Sequence, residues 1–266
     1  MEFKNILVVL DYSPACIARL DLAIELAKRH TAHLSGLYAV SHAFFELKDN
    51  EAARHAEQVQ TDFIERAGRA GVDARWIGVD WSVVGVSVPE IVNLHAYYSD
   101  LIVVGQDEPG ATEKNIPQGL PERVVLGSGR PVLIVPYAGN LPTLGERVMV
   151  PWKAGRESTR AVNDSMPFLQ KAGEVRVVEV NSLLPGISHA EMLCEQLARH
   201  GVTAHPEHIV AGDISIGDAL LNRIPEEGID LLVMGVYAHT RLGSLVVGDV
   251  ARHILRHMTV PVLMSH

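Results

Sequence analysis

"DLIVVG" at residues 100–105 and "DLLVMG" at residues 230–235 are two versions of one segment. Each version is a continuous apolar run between an aspartate and a glycine. Such a run, without alternation of polar and apolar residues, is typical of a strand buried on both faces of a parallel sheet. Because the two segments lie 130 residues apart, they indicate that the chain contains an internal repeat.

The repeat covers most of the sequence. Two further pairs of segments match between the halves, with Asp11 of the first half aligned to Trp152 of the second. These pairs are "ILVVLDYS" (6–13) with "RVMVPWKA" (147–154), and "PVLIV" (131–135) with "PVLM" (261–264). Within each half, strand-like runs alternate with helical segments, which favours a parallel sheet with right-handed crossovers.

The sequence therefore predicts an α/β protein of two doubly wound, Rossmann-like parallel-sheet domains. We place the first domain at residues 1–139 and the second at residues 145–266. The connection lies in "YAGNLPTLGE" (137–146), a segment with the Gly, Pro and Asn residues that are frequent in linkers.

Composition excludes several classes of protein. The formal net charge is −9 and no run of Lys or Arg occurs, which disfavours nucleic acid as a partner. The first apolar run is too short for a signal peptide or a membrane span. Cys16 and Cys194 are too far apart in sequence for a metal or redox motif. We expect a cytoplasmic protein that contacts no membrane.

Ligands of doubly wound sheets bind outside the carboxyl ends of the strands, where the strand order reverses. In the first half this rule selects Asp11, Ala39 at the end of the second strand, and the loop after Gly105. In the second half it selects Val180 and the loop after Gly235, together with Trp152.

These segments resemble the universal stress protein family in its tandem, two-domain form, whose fold is also described as adenine nucleotide alpha hydrolase-like. The resemblance rests on the opening "ILVVLDYSPACIARLDLAIELA" (6–27), on the "DLIVVG" and "DLLVMG" strands, on "GVYAHTRLGSLVVGDVARHILRHMTVPVLM" (235–264) and on the duplication. It implies a phosphate loop of Gly, two residues, Gly, nine residues, Gly, then Ser or Thr. It also implies an Asp after strand one and a backbone position late in strand two that hold the adenosine.

Neither half carries the full family pattern. In the second half Gly235, Gly248, Val250 and the strand-two position Val180 match the pattern. Three positions differ from the pattern: Ala238 stands in place of the second glycine, Asp249 stands in place of the Ser or Thr, and Trp152 stands in place of the aspartate. In the first half Asp11 and Gly105 match, but the loop "QDEPGATEKNIPQG" (106–119) does not resemble the pattern. Gly119 is a candidate for the third glycine, but Leu120 and Pro121 follow it, and Pro121 has no N–H to offer a phosphate.

Asp249 decides how the second-half loop is interpreted. A carboxylate about 4 Å from a phosphate charge is opposed by roughly 4 kcal/mol at an effective dielectric constant of 20. A bridging Mg²⁺ would reverse this effect, and His239 and Arg241 would offset part of it. In the alternative interpretation the loop binds nothing, Gly248 permits a tight helix start, and Asp249 caps the helix that follows.

No other motif assigns chemistry. His253 and His257 share a helix face, a spacing that can begin a zinc site, but no third ligand accompanies them, and surface histidines are the better interpretation. The same holds for His205 and His208 in "HPEH". The sequence alone brings no nucleophile and base together, so no catalytic residue and no metal ligand is assigned.

The resemblance implies a stress-response regulatory or adaptor protein, more a binding protein than an enzyme. Its expected ligand is ATP, ADP or AMP, with or without Mg²⁺, in the second domain. Two alternatives stay open: a slow Mg²⁺-dependent nucleotide hydrolase, and a ligand-free scaffold for partner proteins. The resemblance also implies that the two domains pack as an internal pseudo-dimer, and a homodimer of tandem chains stays open.

Overall fold

The computed structural model describes residues 2–41, 49–81, 86–108, 116–139, 141–181, 188–241 and 244–266. The chain divides into two compact units, Glu2–Tyr137 and Ala138–His266. The first unit contains β1 (Asn5–Leu10), α1 (Pro14–His30), β2 (His33–Ser41), α2 (Asp49–Arg69), β3 (Ala74–Trp81), α3 (Val88–Ala96), β4 (Leu101–Gly105), α4 (Leu120–Ser128) and β5 (Val132–Val135).

The second unit repeats this succession of strands and helices. It contains β6 (Arg147–Pro151), α5 (Arg156–Leu169), β7 (Glu174–Val180), α6 (His189–Arg199), β8 (Ala204–Ile209), α7 (Ile216–Glu227), β9 (Leu231–Gly235), β10 (Ala238–Arg241), β11 (Ser244–Val247), α8 (Asp249–His257) and β12 (Val262–Ser265). The helix-rich segments between the strands provide the crossovers that a parallel sheet needs.

The two units share one sheet topology. The strands of the first unit are ordered β3-β2-β1-β4-β5, and those of the second are ordered β8-β7-β6-β9-β12. Within each unit these neighbouring strands pair in parallel. The predicted doubly wound α/β fold is thereby confirmed, and the order reverses between β1 and β4 and between β6 and β9.

The two segments that define the repeat, β4 and β9, lie inside their sheets with a strand paired on each side. The residues of β4 before Gly105 and those of β9 before Gly235 are buried, as expected for strands covered on both faces. Among the described residues, no helix has both the length and the apolar character needed to cross a membrane.

The segment after Gly235 differs from the open loop that the sequence predicts. Residues 238–241 and 244–247 pair as an antiparallel hairpin, with Ala238 opposite Val247. The hairpin forms because "SLVV" is a run of apolar and β-branched residues with high strand propensity. Ala238 therefore has an extended backbone conformation. The alanine at this position, where the family pattern has glycine, does not have to adopt the left-handed conformation that is unfavourable for alanine.

Candidate functional site

Asp11 lies directly after β1, at the point where the strand order of the first unit reverses. Its carboxylate is buried and contacts two polar partners. Arg19 of α1 places its Nη2 atom 2.9 Å from Oδ2, and the Ser13 hydroxyl donates to Oδ1 at 2.5 Å. Ser13 is also the N-cap residue of α1, with Pro14 following at the first helical position. The carboxylate is thus already paired within the protein.

Arg19 occupies the space beside Gly105. A Cβ atom on residue 105 would overlap the guanidinium, so a larger residue at the end of β4 would force the Arg19 side chain to shift. Burial is the largest single influence on Arg19 and works against its charged form, but the charge of Asp11, the influence of Cys16 and the hydrogen bonds to both together raise the pKa of the guanidinium above its usual value. The guanidinium of Arg19 therefore stays charged inside the domain.

The same pair influences the neighbouring titratable groups. Burial, followed by the charge of Asp11, raises the pKa of Tyr38 to about 12. Burial is also the largest cause that raises the pKa of the Cys16 thiol. Both groups are neutral at physiological pH, so neither offers a nucleophile at this site.

Ala39 lies at the same level of the sheet edge as Asp11. The register pairs Leu10 of β1 with Tyr38 of β2, so the next residue of each strand is Asp11 and Ala39 respectively. Ala39 is buried. The structure therefore brings together Asp11, Ala39 and Gly105, the three first-half positions that the sequence selects.

In the first unit, the start of α4, where the family pattern would place a phosphate, is bound by a carboxylate of the protein itself. Oδ2 of Asp107 accepts the N–H of Gly119, the N-cap of α4, at 2.6 Å. Pro121 removes another N–H from the first turn of this helix. The adjoining cleft also carries Asp11 and Glu108. An internal carboxylate and an acidic lining make this helix terminus a poor site for a phosphate.

In the second unit, Gly235 permits close packing of α5. A Cβ atom on residue 235 would overlap the backbone of Glu157 and Ser158 in the first turn of that helix. The glycine therefore has a packing role whether or not a ligand binds. Both glycines that end the repeated strands lie against the first helix of their unit: Gly105 contacts the Arg19 side chain of α1, and Gly235 contacts the backbone of α5.

The adenosine side of the second unit presents an indole in place of a carboxylate. Trp152 follows β6 and is partly exposed, and its backbone N–H donates to the carbonyl of Val178 at 2.8 Å. Val180 is the last residue of β7 and is partly buried. It is followed by Asn181, whose φ of 53° is left-handed and whose Oδ1 accepts the N–H of Ala211.

Helix α8 follows the hairpin. The N–H of Gly248 donates to the carbonyl of Tyr237 at 2.9 Å, which places the start of α8 beside the residues that follow β9. Gly248 is the N-cap and Asp249 is the first helical residue. The expectation that Asp249 caps this helix is therefore wrong, because the carbonyl of Gly248 already accepts the first helical bond, from Arg252.

The side chain of Asp249 extends into solvent. It is 94% exposed and lies 3.3 Å from Nη1 of Arg252. Within the described part of the chain, no acceptor contacts the N–H groups of Asp249 and Val250. The backbone of His239 and Arg241 lies in β10, but their side chains are outside the described residues.

The histidines of α8 form a local cluster. Nε2 of His253 lies 2.8 Å from Oδ1 of Asp218 in α7, and the rings of His253 and His257 have centroids 4.6 Å apart. Gly217 leaves room for the His253 ring. Over the described residues, no group of three or more His, Cys, Asp or Glu side chains is arranged to hold a metal ion.

Two functional positions were missed by the sequence reasoning. Asp107 gives no signal, because its contact with Gly119 depends on the path of the loop between them. Arg19 does give one, since it lies on the buried stripe of α1 with Cys16, Leu20 and Ala23. A charged residue on an apolar helix face predicts a buried partner, and here the partner is Asp11.

These features define a protein of two parallel α/β domains, each with a candidate ligand site where its strand order reverses. The chain belongs to the universal stress protein family, whose model matches residues 2–136 and 170–266. None of the curated proteins compared with this sequence matches it significantly.

Solved structures of the same family show the same fold over the whole chain. A universal stress protein from Archaeoglobus fulgidus is similar with a TM-score of 0.78 and 18% identity, over 98% of this chain and 97% of that one. A putative universal stress protein from Pseudomonas aeruginosa is similar with a TM-score of 0.65 and 17% identity, over 99% and 93% of the two chains.

Proposed function

We propose that this chain is a stress-response regulatory protein of the cytoplasm that binds an adenine nucleotide in its second domain only. The observation that carries the proposal is the contrast between the two equivalent helix termini. The N-cap N–H of α4, on Gly119, is bound to the carboxylate of Asp107, and Pro121 lacks an N–H in the first turn. The N-cap N–H of α8, on Gly248, is bound to the neutral carbonyl of Tyr237, and the N–H groups of Asp249 and Val250 are directed at no described acceptor. Unpaired N–H groups and the helix dipole favour a phosphate at α8.

The charge of Asp249 opposes this binding less strongly than its position in the sequence implies. A carboxylate that is 94% exposed is surrounded by water, and Arg252 lies beside it. Two unit charges of the same sign that are 4 Å apart repel each other by about 1 kcal/mol in water, compared with about 4 kcal/mol at an effective dielectric constant of 20. The two N–H groups and the helix dipole are sufficient to offset a penalty of that size.

Trp152 provides the adenosine side of the proposed site. It stands where the family pattern has an aspartate, and its indole is partly exposed at the carboxyl end of β6. An aromatic face stacks on any purine, at about 1–3 kcal/mol per base. The second domain would therefore hold the base by stacking in place of a carboxylate hydrogen bond.

The test is the thermal midpoint of the full chain with ATP, ADP and AMP, each with and without Mg²⁺, followed in parallel by tryptophan fluorescence. A ligand at 100 times its dissociation constant stabilises the native state by about 2.7 kcal/mol. Val250→Pro removes one phosphate donor and reproduces the arrangement at Pro121, where a helix begins normally. Val250→Ala is the matched control, since it keeps the N–H.

We expect a midpoint shift in the wild type and in Val250→Ala, and a strongly reduced shift in Val250→Pro. We also expect nucleotide to change the emission of the wild type and to leave the emission of Trp152→Phe unchanged. The absence of any shift with all three nucleotides, or equal shifts in the alanine and proline variants, would contradict the proposal.

A further inference from the structure

A serine, a histidine and a glutamate meet on one face of the second sheet. Glu179 of β7 and His208 of β8 are register partners on adjacent parallel strands, so their side chains project from the same face. Ser188, the N-cap residue of α6, lies against this pair. Neither the repeat nor the family pattern accounts for the cluster, which is separate from the proposed nucleotide function.

The distances order the three groups in a chain. Nε2 of His208 lies 3.0 Å from Oγ of Ser188, and Nδ1 lies 3.6 Å from Oε2 of Glu179. A carboxylate facing Nδ1 favours the tautomer with its proton on that atom. Nε2 is then the acceptor, and the serine hydroxyl donates to it.

Backbone contacts fix both ends of this chain. Oε2 of Glu179 accepts the N–H of Ala190 at 3.3 Å, and its side chain is only 9% exposed. Oγ of Ser188 accepts the N–H of Glu191 at 3.0 Å. With that lone pair engaged, the hydroxyl hydrogen remains for His208.

The histidine and the serine are both reachable from solvent. The His208 side chain is 45% exposed, and Ser188 is partly exposed. A reactant can therefore approach Oγ while the carboxylate behind the ring stays shielded from water.

Helix capping alone does not explain the cluster. Ser215 caps α7 with the same bond, from the N–H of Asp218 at 3.0 Å, and its hydroxyl is bonded to the carboxylate of that same residue. Ser188 instead directs its hydroxyl at a ring nitrogen that is backed by a nearly buried carboxylate. A nucleophile, a base within hydrogen-bond reach and a group that orients the base are the parts that acyl transfer requires.

We propose that Ser188 is a nucleophile that accepts acyl groups from small activated esters, with His208 as its base and Glu179 as a positioning residue. Oγ attacks the ester carbonyl carbon, and its proton passes to Nε2 of His208. The bond to the leaving alcohol then breaks, and the alcohol departs with the proton from His208. A water molecule, deprotonated by the same nitrogen, attacks the acyl-serine and releases the acid with free Ser188.

The probe is p-nitrophenyl acetate, with release of p-nitrophenolate followed by absorbance and the acetylated residue located by peptide mass mapping. We expect the acetyl group on the peptide that contains Ser188. General-base assistance is commonly worth about 10²–10⁴-fold, so His208→Asn should slow acylation by roughly 100-fold. Added imidazole should restore part of the rate in His208→Gly, a response that a structural role would not give.

Ser188→Asn separates chemistry from folding, because asparagine caps helices as well as serine does but has no hydroxyl. We expect it to fold normally and to lose acylation. Ser215→Ala is the matched control, since it removes a cap without touching the cluster and should acylate at the wild-type rate. Glu179→Gln should lower the acylation rate constant without raising the ester concentration at half saturation.

Acetylation confined to lysines or other histidines would overturn the proposal. The same conclusion would follow if Ser188→Asn kept the wild-type rate, because His208 would then react directly with the ester. Neither result would affect the nucleotide proposal, which is tested by thermal shifts at α8.

Discussion

Arg19 and Asp11 form a buried ion pair in the first domain, with Nη2 and Oδ2 2.9 Å apart and side chains that are 2% and 6% exposed. The pair joins the first helix to the end of the first strand. Asp11 occupies the position that the family pattern assigns to adenosine, but its charge is already matched inside the protein. A ligand would have to compete with Arg19 for this carboxylate.

Removing one member of this pair should be costly. Arg19→Met leaves the carboxylate of Asp11 buried without its partner, and such a change costs about 3–5 kcal/mol. The double variant Asp11→Asn with Arg19→Met removes both charges and should recover a large part of the loss. Urea unfolding of the full chain, followed through the transition of the first domain, measures the free energy of unfolding in each case.

Arg66 and Asp21 provide the matched control for that experiment. They also pair at 2.8 Å within the first domain, but their side chains are 34% and 52% exposed. Arg66→Met should therefore cost about 0–1 kcal/mol. Equal losses in the Arg19 and Arg66 variants would show that burial does not set the strength of the inner pair.

Gly235→Ala should destabilise the second domain. Its Cβ atom would overlap the backbone of α5 at Glu157 and Ser158, and backbone cannot move aside as a flexible side chain can. Overpacking of this kind costs about 1–3 kcal/mol, visible as a lower denaturation midpoint. Gly68→Ala is the control, because nothing lies within 4 Å of a Cβ atom there. In a helix, replacing glycine by alanine should stabilise the protein by up to about 1 kcal/mol. If Gly235→Ala were more stable than Gly68→Ala, the packing role of Gly235 would be refuted.

Glu90 should contribute stability that is lost in acid. Its carboxylate accepts the backbone N–H of Ser87 at 2.6 Å and the hydroxyl of Ser87 at 2.8 Å. These bonds hold the pKa of Glu90 below its ordinary value of 4.5 in the folded state. The stability that these hydrogen bonds contribute is therefore complete when the pH lies above the ordinary pKa of a glutamate. It is lost as the pH falls through the lower pKa that Glu90 has in the folded state.

The measurement is the free energy of unfolding as a function of pH for the wild type and for Glu90→Gln. Because residue 90 of the variant has no carboxylate to ionise, its free energy of unfolding should depend less on pH in the acid range. The curves of the wild type and the variant should converge at low pH. Parallel curves across the whole acid range would contradict this assignment.

Asp249→Asn should strengthen nucleotide binding in the absence of Mg²⁺. Removing a charge that opposes phosphate in water is worth about 1 kcal/mol, which is roughly fivefold in the dissociation constant. Asp213→Asn, an exposed aspartate of the same domain, makes the same change in net charge and should leave affinity unchanged. Titration calorimetry compares the variants, and weaker binding by Asp249→Asn without Mg²⁺ would show that the carboxylate assists binding.

The features that the sequence predicts correctly are those set by local pattern. Uninterrupted apolar runs identify β4 and β9 as buried central strands, and the repeat predicts that both domains share one topology. Pro14 marks the start of α1, because proline is favoured at the first position of a helix and this preference is local. The rule for parallel sheets selects Asp11, Ala39 and Gly105 at the strand ends, and their role in binding a ligand stays a prediction.

The features that the sequence does not give depend on the way in which distant segments meet. Ser188 and His208 are 20 residues apart, and only the register of β7 with β8 places His208 beside Glu179. The contact of Asp107 with Gly119 likewise depends on the three-dimensional path of a loop. The hairpin after Gly235 was missed because the family resemblance favoured a phosphate loop over the strand propensity of residues 244–247.

The carboxylate of Asp107 acts at Gly119 as a tethered anion. Its effective concentration at that N–H is fixed by covalent connection, so it does not change with dilution, purification or the supply of metabolites in the cell. A diffusible nucleotide at α8 would, in contrast, bind and leave as its concentration changes. The duplicated chain would then carry one half that is permanently saturated and one half whose occupancy reports the energy charge of its surroundings.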